Sequence, residues 1–242
     1  MGLTSIDQTQ RRAARTVGFT YLLTNALAYF AEFHVRAQLI DYESTVRTAK
    51  NILASEHLFR MSLAADLLTF AGDVVIIVGS YLILRSVNRS LAIFGFAWRL
   101  VETAIVAVMT INMFDALRFL SGADYLKAFT PGQLQGMVSM AFGVHDAGYN
   151  VAFLFFGLGS GAFCIAWYQS RYIPRVLAAW GILGSILAAA STLVYTLSPT
   201  LAGVFEPTCF VPIGTFELIA GAWLLFKGLP RMSDNTISAT SV

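Results

Sequence analysis

Six stretches of this chain are apolar for about the thickness of a bilayer: residues 14–33, 62–84, 91–117, 140–168, 176–197 and 206–226. A hydrocarbon core of about 30 Å takes roughly 20 residues of helix to cross. Inside lipid, each backbone N–H and C=O must find its partner within the segment, so each run predicts a helix. The expected fold is all-α: an integral membrane bundle of six transmembrane helices. Composition agrees, with 57% hydrophobic and 12% charged residues, where soluble domains carry about 25% charged. The formal net charge is only +2. No dense Lys/Arg cluster interleaves with aromatics, so nucleic acid is not an expected partner. The lipid bilayer is.

The cations set the orientation. With the N-terminus in the cytoplasm, the inner segments hold Arg11, Arg12, Arg15, Arg85, Arg89, Arg171, Arg175, Lys227 and Arg231, against Asp7 and Asp234 alone. The outer segments mix Arg36, Arg47, Lys50, Arg60, Arg118 and Lys127 with Asp41, Glu43, Glu56 and Asp124. This is the positive-inside pattern, and it places both termini in the cytoplasm. The expected organisation is a cytoplasmic tail over 1–13, a six-helix domain over 14–229 and a disordered tail over 230–242. The segment "MGLTSIDQTQRRAAR" lacks the short apolar core and small-residue site of a signal peptide. A multi-pass protein of the cell membrane, in a bacterium the inner membrane, is expected.

The inner connections, "RSVNRS" and "QSRYIPR", are tight, whereas the outer ones are long. In the first outer loop Val46, Ala49 and Leu53 recur at helical spacing and predict a short interfacial helix. In the second, Thr130, Pro131 and Gln133 form a capping-box start for a helix leading into the fourth span. Long outer loops over tight inner ones predict a site that opens outward.

A charge at the bilayer centre costs about 2.5–3.5 kcal/mol on insertion scales. The few ionisable residues inside the apolar runs should therefore face the bundle interior. Asp66 and Asp73 lie seven residues apart, on one face of the second span. Arg99 and Glu102 share a face of the third, with Asn112 further out. His145 and Tyr149 share a face of the fourth, Glu217 lies in the sixth, and Glu32 ends the first, four residues before Arg36. Asp73 is expected to meet Arg99 and Glu102, with Asp66 above them towards a mouth that His145 helps form. Asp73, Glu102 and Glu217 are deep acids, and Arg99 is read as the one deep permanent cation. One arginine cannot neutralise three carboxylates, so a proton, a cation or a ligand is expected to balance the rest.

Other features carry no chemistry. Gly157, Gly159 and Gly161 follow no strand and predict close helix packing, not a dinucleotide loop. Cys164 and Cys209 lie in different runs and are expected as free thiols. His34, His57 and His145 are the only histidines, so neither a metal nor another cofactor is expected.

The blocks "YFAEFHVR", "NILASEHLFRMSLAADLL", "LILRSVNRSLA", "WRLVETA", "HDAGYNVAFLFFGLGSG" and "SRYIPRVLAAWG" together resemble a mostly bacterial family of multi-span membrane proteins, domain of unknown function 4386. The resemblance covers residues ~15–200, in order. Ser86 departs from it, standing where the family would have proline. The resemblance implies the membrane fold and no activity.

Three functions fit these residues. One is binding or transport of a small molecule, cation or proton through an outward-leaning acidic cavity, with a small hydrophobic or cationic ligand as partner. An alternative is an acid–base enzyme, of cyclase or isomerase type, acting on a lipid or isoprenoid. The third is a structural or assembly protein whose buried charges only tie helices together.

Overall fold

The computed structural model describes residues 6–230, with the backbone alone for 199–209. The side chain of Cys209, Arg231, Asp234 and nearly all of the expected disordered tail lie outside the described residues. Every regular element among those described is helical. Helix α1 (Gln8–Tyr29) continues through a π-helical segment (Phe30–Arg36) into the single turn α2 (Ala37–Leu39). There follow α3 (Thr45–Ala54), α4 (Glu56–Leu84), α5 (Arg89–Met109), α6 (Ile111–Leu120) and a 3-10 turn (Asp124–Ala128). Helices α7 (Pro131–Ser170), α8 (Arg175–Leu197) and α9 (Pro199–Phe226) complete the chain.

The long helices close into a ring in chain order. Helix α1 packs on α4, α4 on α5, α5 and α6 on α7, α7 on α8, α8 on α9, and α9 back on α1. Tight inner turns and longer outer connections alike join sequence neighbours as neighbours in space. Closure depends on backbone contact between the first and last members. A Cβ on Gly18 would overlap the Leu225 backbone nitrogen and lie 2.7 Å from the Gly221 carbonyl oxygen. Only small residues let helices approach so closely.

Large apolar side chains cover the outside of the ring, among them Leu67, Leu68, Val74, Val75 and Val78 on α4 and Ile93, Phe94, Leu100 and Val101 on α5. Such a belt is disfavoured in water and ordinary in lipid. Four stretches, Glu56–Leu84, Arg89–Leu120, Pro131–Ser170 and Arg175–Leu197, are long and apolar enough to cross a membrane, and Phe210–Phe226 is a shorter apolar helix. The architecture is that of a membrane protein. Helix α1 is the least apolar of the six, with three arginines in its first turns and Thr16, Thr20, Thr24 and Asn25 beyond them.

The ends of the elements differ from the sequence expectations for local reasons. Helix α1 begins at Gln8, inside the expected tail over 1–13, because Asp7 and Gln10 form a capping box. It also runs past residue 33, since the π-helical segment carries the helix on to Leu39. The interfacial helix forms as α3, capped by Ser44. Its buried face is Thr48, Ala49 and Ile52, however, while Val46 and Leu53 point outward, 57% and 53% exposed. Ile52 packs with Val35, Phe59, Leu63 and Met113 at this end of the ring, which decides the face. The Thr130 capping box and Pro131 start α7 as expected.

Arg171 ends α7 with φ 57° and ψ 23°, the left-handed conformation at which glycine is the usual residue.

Candidate functional site

The buried charges form two clusters, one above the other. In the deeper one, α5 presents Arg99 into the ring, 4% exposed. Its Nη2 donates to Asp73 Oδ1 of α4 at 3.5 Å, and its Nη1 lies 3.1 Å from Glu102 Oε2, one turn along α5. That second contact is an ion pair without hydrogen-bond geometry, so Nη1 has no hydrogen-bond partner among the described residues. Glu102 also accepts from Thr103 Oγ1 at 3.3 Å. Glu217 of α9 accepts from Asn25 Nδ2 of α1 at 3.5 Å and lies within electrostatic reach of Arg99. Helices α1, α4, α5 and α9 thus contribute to one site.

The seat of Arg99 explains a glycine. A Cβ on Gly159 of α7 would lie 2.7 Å from Arg99 Cγ and 2.8 Å from its backbone nitrogen. Glycine there lets the arginine stem pass between α5 and α7. The guanidinium carbon then sits 4.3 Å from the centre of the Phe156 ring, a cation–π contact in an apolar surround. Beside the guanidinium is a cavity of about 10 Å³ lined by Arg99, Tyr21, Ser160, Cys164 and Glu217. That is close to the space of a single water and far below that of an organic ligand.

The shallower cluster centres on Arg36, which the sequence placed with the loop cations. Arg36 is in fact 7% exposed. Its Nη1 and Nη2 reach the two oxygens of Asp66 at 2.6 and 3.1 Å, and its Nε donates to Glu32 at 2.8 Å. The π-helical segment keeps Glu32 and Arg36 within one turn and directs Arg36 at α4. Arg99 is therefore not the only buried cation, and Asp66, in the shallower cluster, is 3% exposed and held at both oxygens by Arg36.

A break in the third long helix positions His145. At Thr110 the Met113 N–H turns to the Thr110 carbonyl, three residues back. The Met109 carbonyl is met instead by Asn112 Nδ2 at 3.0 Å and His145 Nδ1 at 3.2 Å. A carbonyl only accepts, so Nδ1 carries the proton in this contact. Asn112 thus serves its own helix turn. His145 packs at a tilt against Tyr149 with centroids 4.6 Å apart, and Phe153 and Phe156 continue the row to Arg99. Tyr149 lies within electrostatic reach of Arg36, Asp66 and Glu102, and so stands between the clusters.

Of the residues singled out from sequence, Asp73, Arg99, Glu102 and Glu217 come together, Asp66 and Glu32 gather on Arg36, and His145 and Tyr149 line the row between. Sequence reasoning missed the depth of Arg36 and the parts of Asn25 and Tyr21. The available signal was an i,i+4 Glu–Arg pair continuing into apolar Val35 and Leu39, and an amide within an apolar run. Cys164 is a buried free thiol. Among the described residues no group of three His, Cys, Asp or Glu is placed to hold a metal.

No curated protein and no solved structure matches the chain. The family profile described as domain of unknown function (DUF4386) does match, over residues 16–228. With nearly all of the ring and both charge clusters inside that span, the chain belongs to the DUF4386 family.

Proposed function

We infer that this protein crosses the cell membrane six times with both ends in the cytoplasm, and that the Arg99 cluster binds and passes protons. The antiparallel ring supports the orientation. It brings Arg11, Arg12, Arg15, Arg85, Arg89, Arg171, Arg175 and Lys227 to one end, as positive-inside topology requires.

The observation carrying the proton reading is a charge imbalance in a confined space. Three carboxylates face one guanidinium inside a helix ring, beside a cavity of about 10 Å³. An uncompensated carboxylate in such a medium takes up a proton instead of remaining charged. The space supports a proton or a water over the organic ligand considered from sequence. Carboxylates contributed by α4, α5 and α9 change separation when those helices shift, which is the device by which intramembrane acids load and release protons.

The test is proton flux. Protein reconstituted in liposomes with an internal pH dye, under an imposed potential, is expected to move protons, and Asp73→Asn with Glu217→Gln to slow that movement at least tenfold. Equal flux from wild type and the double variant, both shown to be folded, overturns the reading.

A further inference from the structure

At the opposite end of the ring from Arg36, the molecule has a cleft of about 1260 Å³. Six cations line it: Arg11, Arg12 and Arg15 from the start of α1, Arg171 and Arg175 from the α7–α8 turn, and Lys227 from the end of α9. Among the described residues no carboxylate lines it, and none lies within ion-pair distance of any of the six. We propose that this cleft is a binding site for a phosphate-bearing anion.

General positive-inside charge does not account for the arrangement. Arg85 and Arg89 satisfy that rule from the neighbouring turn without lining the cleft. The six lining cations come from three separated parts of the chain, and their convergence is repulsive unless an anion sits among them.

The chain also holds these cations in place. Arg175 lies 5.1 Å over the Tyr168 ring and Lys227 4.0 Å over the Trp223 ring, contacts that restrain long side chains. Arg11 reaches the carbonyls of Leu229 and Pro230 at 3.5 and 3.4 Å, joining two walls. Arg171 takes the left-handed position that glycine would occupy without strain, so a cation is kept there against local backbone preference. Helix α8 starts at the cleft with Pro174 at its cap position and no side-chain cap, adding its positive end.

Phosphate suits this lining better than carboxylate. Arginine forks engage phosphate oxygens in pairs, and the tetrahedral phosphate group presents its oxygens to donors on several sides at once. The floor adds Tyr172, Ile173 and Leu229, all buried and apolar, and Phe226 stands 79% exposed at the rim. Basic walls over an apolar floor fit an anionic lipid headgroup with the start of its acyl chains, and also fit a soluble organic phosphate.

The test measures binding to the full-length protein, purified in a neutral detergent, of phosphatidylglycerol, phosphatidylcholine and glycerol 3-phosphate. Phosphatidylglycerol is expected to bind and phosphatidylcholine is not. Glycerol 3-phosphate binding as tightly as the lipid assigns the site to a soluble phosphate; lipid binding alone assigns it to a headgroup. The variant Arg12→Gln/Arg171→Gln/Arg175→Gln is expected to bind about 100-fold more weakly, roughly a factor of five for each cation removed. These side chains lie at the surface, and an unchanged melting temperature without ligand checks the fold. The pair Arg85→Gln/Arg89→Gln, at the same end but off the cleft, is expected to bind within about twofold of wild type. Binding of neither anion, or equal loss per removed charge in the two variants, overturns the proposal. It is independent of the proton reading, since flux through the Arg99 cluster plays no part in it.

Discussion

Arg36 and Asp66, thirty residues apart in the chain, form a two-point ion pair with Nη1 2.6 Å from Oδ2 and Nη2 3.1 Å from Oδ1. The pair joins the end of the first long helix to α4. Both members are buried, at 7% and 3% exposure; removing Arg36 leaves Asp66 charged with no cation on it, whereas removing Asp66 leaves Arg36 paired with Glu32 alone.

Arg36→Ala is accordingly expected to cost about 3–5 kcal/mol, and Asp66→Ala less, because Arg36 keeps its ion pair with Glu32. The apolar pair Arg36→Met/Asp66→Leu, which removes both charges and keeps the volume, is expected to cost far less. Reversible unfolding in mixed micelles compares the three. A double variant no better than the worse single variant would show that the pair matters for more than mutual neutralisation.

Arg99 answers to a different balance. It faces three acids, so Arg99→Met leaves carboxylates with no cation at all and is expected to destabilise more than Asp73→Asn or Glu217→Gln, which reduce the acid excess. The same unfolding assay ranks them. A neutral or stabilising effect of Glu217→Gln alongside loss of proton flux would mark that acid as kept for function at the expense of stability.

Gly159 sits where a methyl group would meet both the stem and the backbone nitrogen of Arg99. Gly159→Ala is expected to cost about 1–3 kcal/mol by overpacking, despite the better helix propensity of alanine. Gly143 has open space around the same test position, so Gly143→Ala is expected to stabilise by about 0.5–1 kcal/mol. Opposite signs for the two substitutions in the same helix, read as melting shifts, check the assignment.

Arg171 in the left-handed conformation makes the reverse prediction. Arg171→Gly is expected to stabilise the protein by about 1 kcal/mol while weakening phosphate binding in the basic cleft. Melting temperature and affinity measured on one preparation should move in opposite directions.

The capping box at Thr130 gives a local test. Thr130→Ala loses the two hydroxyl bonds to Gln133 and is expected to cost about 1 kcal/mol. Hydrogen exchange should accelerate in the first turns of α7 and leave its middle unchanged.

Much of the fold was legible in the sequence because lipid imposes a simple rule. Apolar runs of bilayer length must be helices, and the runs that became α4, α7 and α8 lie within the helices observed. The Thr130–Gln133 box and the shared face of Arg99 and Glu102 followed from spacing, since residues three or four apart meet along a helix, and the expectation that Asp73 turns towards them followed from the cost of a charge in lipid. The burial of Arg36 was not legible. A span ending in Glu32, His34 and Arg36 reads as a chain leaving the membrane, and only a helix continuing in π geometry turns that arginine inward.

The sequence by itself determined that this chain makes long apolar helices, that their polar residues turn away from lipid, and that alternate connections carry cations with few acids among them. The reason is local: solvation and helical periodicity act residue by residue. The tertiary structure alone decided that the six long helices close into a ring, that the buried charges divide between Arg36 and Arg99, and that cations from three distant segments line one cleft. Those outcomes depend on which helix faces touch. Contacts such as Gly18 on α9 and Gly159 on Arg99 fix that through close packing, and spacing along one chain does not specify it.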